Sequence, residues 1–198
     1  MSFQLNVFKY ALDSQWPSRI MMLFTIWVGS SFSFLYADTS EEVIEEYQIK
    51  SVYLFNFANF FTWPASAFRQ ANQPFRICVL GQNPFGIDLD LVVEGEDVEG
   101  RRVTVHRIRT LRSSSVCQML FVSQSQQANL SRILSYVRRY PILTVSDIEN
   151  FAIRGGMVQF FNSVNNEVRF KIAPETVRKV NLIASANLLE IAQIVHRR

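Results

Sequence analysis

Apolar residues recur at helical spacing from Val43 onward. Turned by about 100° per position, Val43, Tyr47, Leu54, Ala58 and Phe61 fall on one stripe, with Phe57 at its edge. This stripe predicts a core-facing helix. Thr39 or Ser40 caps its start, Glu41 and Glu42 suit its positive N-terminal end, and Trp63-Pro64 closes it. Ile49, Tyr53 and Phe60 make a second apolar group on another face. The helix is therefore expected to be covered on two sides, either within its own domain or by another chain. For the second case the contact residues are Tyr53, Asn56 and Phe60, with Leu54, Ala58 and Phe61 in the core. The aromatic run Val52–Pro64 is too short to cross a bilayer, which takes about 20 apolar residues, and Asn56, Asn59 and Thr62 interrupt it.

Beyond Pro64 the pattern changes to short strands. FRICVLG (75–81) and QMLFVS (118–123) are continuous apolar runs, as is ILTVSD (142–147), and all three read as buried strands. RRVTVHRI (101–108) alternates like a strand with one wet face. Helices are expected between them, one opened by Pro84 over PFGIDLDLVVEG and one over SQQANLSRILSYVRRY. GGMVQFFNSVNNEVRFKI reads as a hairpin turning near Asn165-Asn166, and one or two helices close the chain from Pro174. The expectation is a single-domain, Rossmann-like α/β sandwich: a largely parallel sheet, an antiparallel edge hairpin and helices on both faces. In such sheets ligands favour the carboxyl ends of the strands. The candidate ligand cleft is accordingly Gln82, Asn83, Ser123, Ser146 and Asp147.

The N-terminal segment has a different character. Arg19 precedes an apolar stretch, Ile20 to Val28, and Leu35-Tyr36-Ala37 stands before Asp38. This is the layout of a secretory signal, so residues 1–37 are expected to be a signal peptide cleaved after Ala37, with retention as an anchor the alternative. Cleavage removes Lys9, Asp13 and Arg19, lowering the formal charge from +3 to +2 and leaving residues 38–198 as one domain. Export also bears on Cys78 and Cys117, the two cysteines of the chain. An even pair in an oxidising compartment favours a disulfide, with two buried thiols as the alternative.

Chemistry-bearing patterns are sparse. The two histidines, His106 and His196, complete no catalytic set, and neither cysteine has a second ligand at metal spacing. GQNPFG lacks the Lys and Ser/Thr of a phosphate loop, since Ile87 and Asp88 stand in their places. No enzyme activity, cofactor or metal is expected. The basic residues Arg101, Arg102, Arg107, Arg109 and Arg112 read as a soluble strand edge, with an anion or partner site the alternative. Nucleic acid is a poor match for an exported chain of charge +2.

Taken together, YQIKSVYLFNFANFFTWP, PFRICVLGQNPFG, VEGRRVTVHRI, CQMLFVS, PILTVSDIENFAIRGGMVQFF, NEVRFKIA and LLEIA follow in order the pattern of the YfiR family of bacterial periplasmic proteins, which this chain resembles. LTVSD followed by FAIRGGM is the most specific part. The resemblance implies a periplasmic, non-catalytic protein that represses a membrane-bound diguanylate cyclase by contacting its periplasmic sensory region, lowering cyclic-di-GMP. A homodimer is a further implied partner, and membrane contact is expected only through the cyclase. Some relatives carry a disulfide between cysteines that match Cys78 and Cys117. A second cysteine pair found in some relatives is absent here, so redox control through it does not carry over. The alternative reading is a small-molecule-binding sensor domain serving another membrane signalling protein, such as a sensor kinase.

Overall fold

The computed structural model describes residues 38–196; the expected signal peptide, residues 1–37, lies outside the described residues. Helix α1 (Asp38–Phe60) opens the described chain and is followed by the short strand β1 (Phe61–Thr62) and by β2 (Phe75–Leu80). Then come α2 (Asp88–Val93), β3 (Asp97–Val98), β4 (Arg101–Ile108), β5 (Met119–Val122), α3 (Leu130–Val137) and β6 (Leu143–Ser146). The hairpin strands β7 (Val158–Asn162) and β8 (Val168–Ile172) lead to α4 (Pro174–Arg178), β9 (Ile183–Ala184), α5 (Ala186–Ile191) and β10 (Gln193–Ile194).

The main sheet has the order β10-β8-β7-β6-β5-β2-β4-β3. Strands β4, β2, β5, β6 and β7 run parallel in register, while β7–β8 and β3–β4 are antiparallel. Parallel strands of this kind carry helices on their faces and are apolar throughout, as the sequence runs predicted. The two-residue strand β10 extends the sheet beyond β8 by a parallel pairing, so the hairpin is one step inside the edge.

Alternate residues of β2 enter two cores. Phe75, Ile77 and Val79 pack with Leu54 and Phe57 of α1 and Leu89 and Val93 of α2. Cys78 and Leu80 pack with Leu130, Ile133, Leu134 and Val137 of α3. Strand alternation sends these sets to opposite faces, so helices cover both sides. Cys78 and Cys117 form a disulfide within the second core, their Cα atoms 6.0 Å apart.

Two local differences from expectation have physical causes. Helix α2 begins at Asp88, four residues after Pro84, because Asn83 closes a turn first: its Nδ2 donates to the Gly86 carbonyl at 2.8 Å and its Oδ1 accepts from the Phe85 amide. Helix α1 ends at Phe60 rather than at Trp63-Pro64, because Phe61 and Thr62 pair with Ala184 and Ile183 as a separate two-stranded ribbon. Trp63 follows on, its Nε1 donating to the Gln118 carbonyl at 3.0 Å.

Candidate functional site

Helix α1 carries its chemistry on two faces. On the inward face Leu54, Phe57 and Ala58 are buried, as is Phe61 of β1 just beyond it, and Phe57 stacks with Phe160 and meets Phe170 edge-on. One turn earlier the same face becomes polar, where Tyr47, Lys50 and Ser51 replace the aliphatic residues. Tyr47 Oη donates to Asp147 Oδ2 at 2.7 Å, and Lys50 Nζ donates to the same oxygen at 2.9 Å. Lys50 also pairs with Glu46, to which Asn162 of β7 donates at 3.0 Å.

Lys50 is 2% exposed, and the cluster leaves Asp147 Oδ1 buried without a partner. Burial, reinforced by the Asp147 carboxylate, pushes the Tyr47 hydroxyl far above its ordinary range. Burial also works to raise the Glu46 carboxyl, but hydrogen bonds from Lys50 and Asn162, with the Lys50 charge, outweigh it and hold Glu46 below the ordinary carboxylate value. The arrangement is a cation set between two carboxylates from separate elements, locking α1 onto the end of β6. Lys50 was not singled out from sequence, although it shares the inward stripe with Tyr47 and Leu54 and lies four residues after Glu46; that charge pair on an apolar stripe is the signal for it.

The five candidate cleft residues come together at one sheet edge, the carboxyl ends of the neighbouring strands β2, β5 and β6. The edge includes the point where the chain reverses its direction of winding, between β2 and β5. The two loops approach closely. Gly81 has φ +102°, and a Cβ there would meet Ser125 Oγ at 2.5 Å, so only glycine fits. Ser125 Oγ also accepts from the Gln82 amide at 2.9 Å. Gln82 and Asn83 are exposed. Ser123 is buried and its Oγ accepts from the Ser125 amide, while Ser146 is fully buried, donating to the Val122 carbonyl and accepting from the Ile148 amide. Asp147 is held by α1 as described.

On the outward face of α1, Ile49, Val52 and Phe60 are 40%, 47% and 37% exposed. Asn56 lies among them, half-buried. Tyr53 sits at the border of this face, half-buried, with its ring centroid 5.6 Å from that of Phe170 and 6.0 Å from that of Phe160. The three predicted contact residues thus flank one another, with Tyr53 turned toward the hairpin.

Val43 was expected in the core but is 51% exposed, and Ile44 is 56% exposed. Helix α1 has 23 residues, a length of about 34 Å at 1.5 Å per residue. Its first turns reach past the aromatic core to the tip of the hairpin, where the contacts are polar: Glu42 accepts from Asn166, and Glu46 from Asn162. The apolar period continues there without a core beneath it.

Two arginines of β4, Arg101 and Arg107, are tied into the fold. Arg107 forms a two-pronged pair with Asp90 and also donates to the Gly86 carbonyl at 3.0 Å. Arg101 donates to the Gln73 carbonyl at 2.8 Å and stacks over Phe68 at 3.9 Å. Among the described residues no helix is long and apolar enough to cross a membrane.

The sequence model of a family described as YfiR/HmsC-like matches residues 47–193, from Tyr47 in the polar cluster to the start of β10. No curated protein matches the chain.

Proposed function

The chain belongs to the YfiR/HmsC-like family, whose members are periplasmic regulators of diguanylate cyclases, and from that premise we propose that it represses one membrane-bound cyclase by docking the outward face of α1 on the enzyme's periplasmic sensory region. The observation that carries the docking is the row Ile49, Val52, Asn56 and Phe60, in which three large apolar side chains stand open to solvent along one helix. At interfaces a few large anchor residues dominate binding, and Phe60 flanked by Ile49 and Val52 supplies such an anchor. Binding holds the sensory region in its inactive arrangement, and cyclic-di-GMP falls. The domain itself supplies a rigid platform, because the Lys50–Asp147 contact and the Phe57 cluster fix the helix on the sheet. The same face serves self-association when the cyclase is absent.

The test is co-expression of the chain with a membrane cyclase whose periplasmic segment it co-purifies with. Cellular cyclic-di-GMP is then compared for the wild type, Phe60→Ala and a cleft variant, Gln82→Ala with Asn83→Ala. Loss of repression in Phe60→Ala with a folded protein, and retention in the cleft variant, is the expected result. The reverse pattern would assign function to the strand-end cleft and its ligand instead.

A further inference from the structure

Apart from the α1 face and the strand-end cleft, a cavity of about 340 Å³ opens between α3, α4 and the segment joining β6 to β7. Its rim carries three cations, Arg138, Arg154 and Lys179, and none of the described residues lining it is acidic. None of the three forms an ion pair with a described residue. Beneath the rim Leu134, Met157 and Val180, which are at most 8% exposed, form an apolar patch of the wall beside the hydroxyls of Ser131, Ser135 and Thr144. Thr176 also lines the cavity; it is 9% exposed and its Oγ1 is buried without a hydrogen-bond partner. That oxygen is closed off from the cavity, so polar recognition of a ligand falls to the three cations.

The wall is also built to hold its shape. The motif FAIRGGM, which neither the core-facing stripe nor the docking face uses, supplies Arg154 and Met157. Its loop is pinned by the Arg154 amide donating to the Asn150 carbonyl at 2.9 Å, the Gly156 amide donating to Phe151 at 2.9 Å and Gln159 Oε1 accepting from Ala152 at 3.2 Å. A Cβ at Gly156 would lie 2.1 Å from the Phe151 ring, so the loop passes against that ring only because residue 156 is glycine. The backbone that carries Arg154 is thereby fixed.

We infer that this cavity binds a small amphipathic organic anion, its carboxylate or phosphate held by Arg138, Arg154 and Lys179 and its apolar body lying on Leu134, Met157 and Val180. Unpaired cations grouped around a concave apolar surface favour such a ligand over a neutral one, and charge-assisted hydrogen bonds in a pocket are the stronger kind. The site stands apart from the docking face, so its failure and that of the docking reading are separate results.

The experiment is isothermal titration calorimetry of octanoate, and separately of inorganic phosphate, into the purified full chain and into Arg154→Gln and Lys179→Gln, with circular dichroism confirming the fold of each. The expected result is saturable octanoate binding, weakened about tenfold or more by Arg154→Gln and by Lys179→Gln, and phosphate binding weaker than octanoate. Absence of saturable octanoate binding, octanoate binding unchanged in both charge variants, or phosphate binding as tight as octanoate would each overturn the assignment.

Discussion

Lys50 and Asp147, 97 residues apart in the chain, meet at 2.9 Å where α1 crosses the carboxyl end of β6. With side chains 3% and 5% exposed, the pair is enclosed, and Glu46 completes it from the solvent side. A lysine in this position neutralises two carboxylates that would otherwise repel one another. Removing one member of such a pair leaves uncompensated buried charge, at a cost of about 3–5 kcal/mol. Lys50→Met is therefore expected to lower the free energy of unfolding in urea by about that amount. Adding Asp147→Asn should restore part of the loss, because residues in one network do not act additively.

Adjacent aromatic residues should differ sharply. Phe61 is 3% exposed within the aromatic cluster and Phe60 is 37% exposed on the outer face. Phe61→Ala is expected to cost about 3–5 kcal/mol, and Phe60→Ala about 1 kcal/mol or less. Urea unfolding of the two variants side by side checks the assignment of faces.

The disulfide closes a long loop, since its cysteines are 39 residues apart. On the chain-entropy model such a loop is worth about 4 kcal/mol. Cys78→Ser with Cys117→Ser should lower the melting temperature while the far-ultraviolet circular dichroism keeps its α/β form. Thiol titration of the unreduced wild-type protein should find no free cysteine.

Acid should weaken the fold in two steps. Burial, followed by the charges of Arg76 and Arg107, holds His106 below its ordinary value of 6.5. The unfolded chain takes up that proton first, so the stability associated with a neutral His106 is complete above pH 6.5 and declines as pH falls through the lower folded value. Glu46 is held below 4.5, so its contribution is complete above that pH and is lost as pH falls through its own lower folded value. Urea midpoints measured from pH 7.5 downward should decline in that order, and His106→Gln should flatten the upper part. An NMR titration of His106 is expected to have its midpoint below 6.5.

The parallel sheet was legible because FRICVL and MLFV carry apolar residues on both faces, and only strands covered by helices read that way. Asn165-Asn166 marked the hairpin for a local reason: Asn166 takes a positive φ of 59°, which asparagine tolerates. What escaped the sequence was whatever depends on where an element stops meeting its neighbours. Val43 continues the period of α1 but lies beyond the core, and periodicity alone carries no information about the length of the surface beneath it. Strands β1, β9 and β10 have two residues each, too few to show a period. Ser146 and Asp147 were readable as polar residues at a strand end; that Tyr47 and Lys50 reach Asp147 depends on the docking of a helix 97 residues upstream.

The central claim is that the outward face of α1 is the regulatory contact. It is tested most directly by placing a charge in that face, with Phe60→Asp, and measuring cellular cyclic-di-GMP in cells that express the cognate membrane cyclase. The account predicts a folded, exported protein with wild-type urea stability to within about 1 kcal/mol that no longer represses, so that cyclic-di-GMP rises to the level of cells lacking the chain. Full repression by a folded Phe60→Asp protein would contradict it.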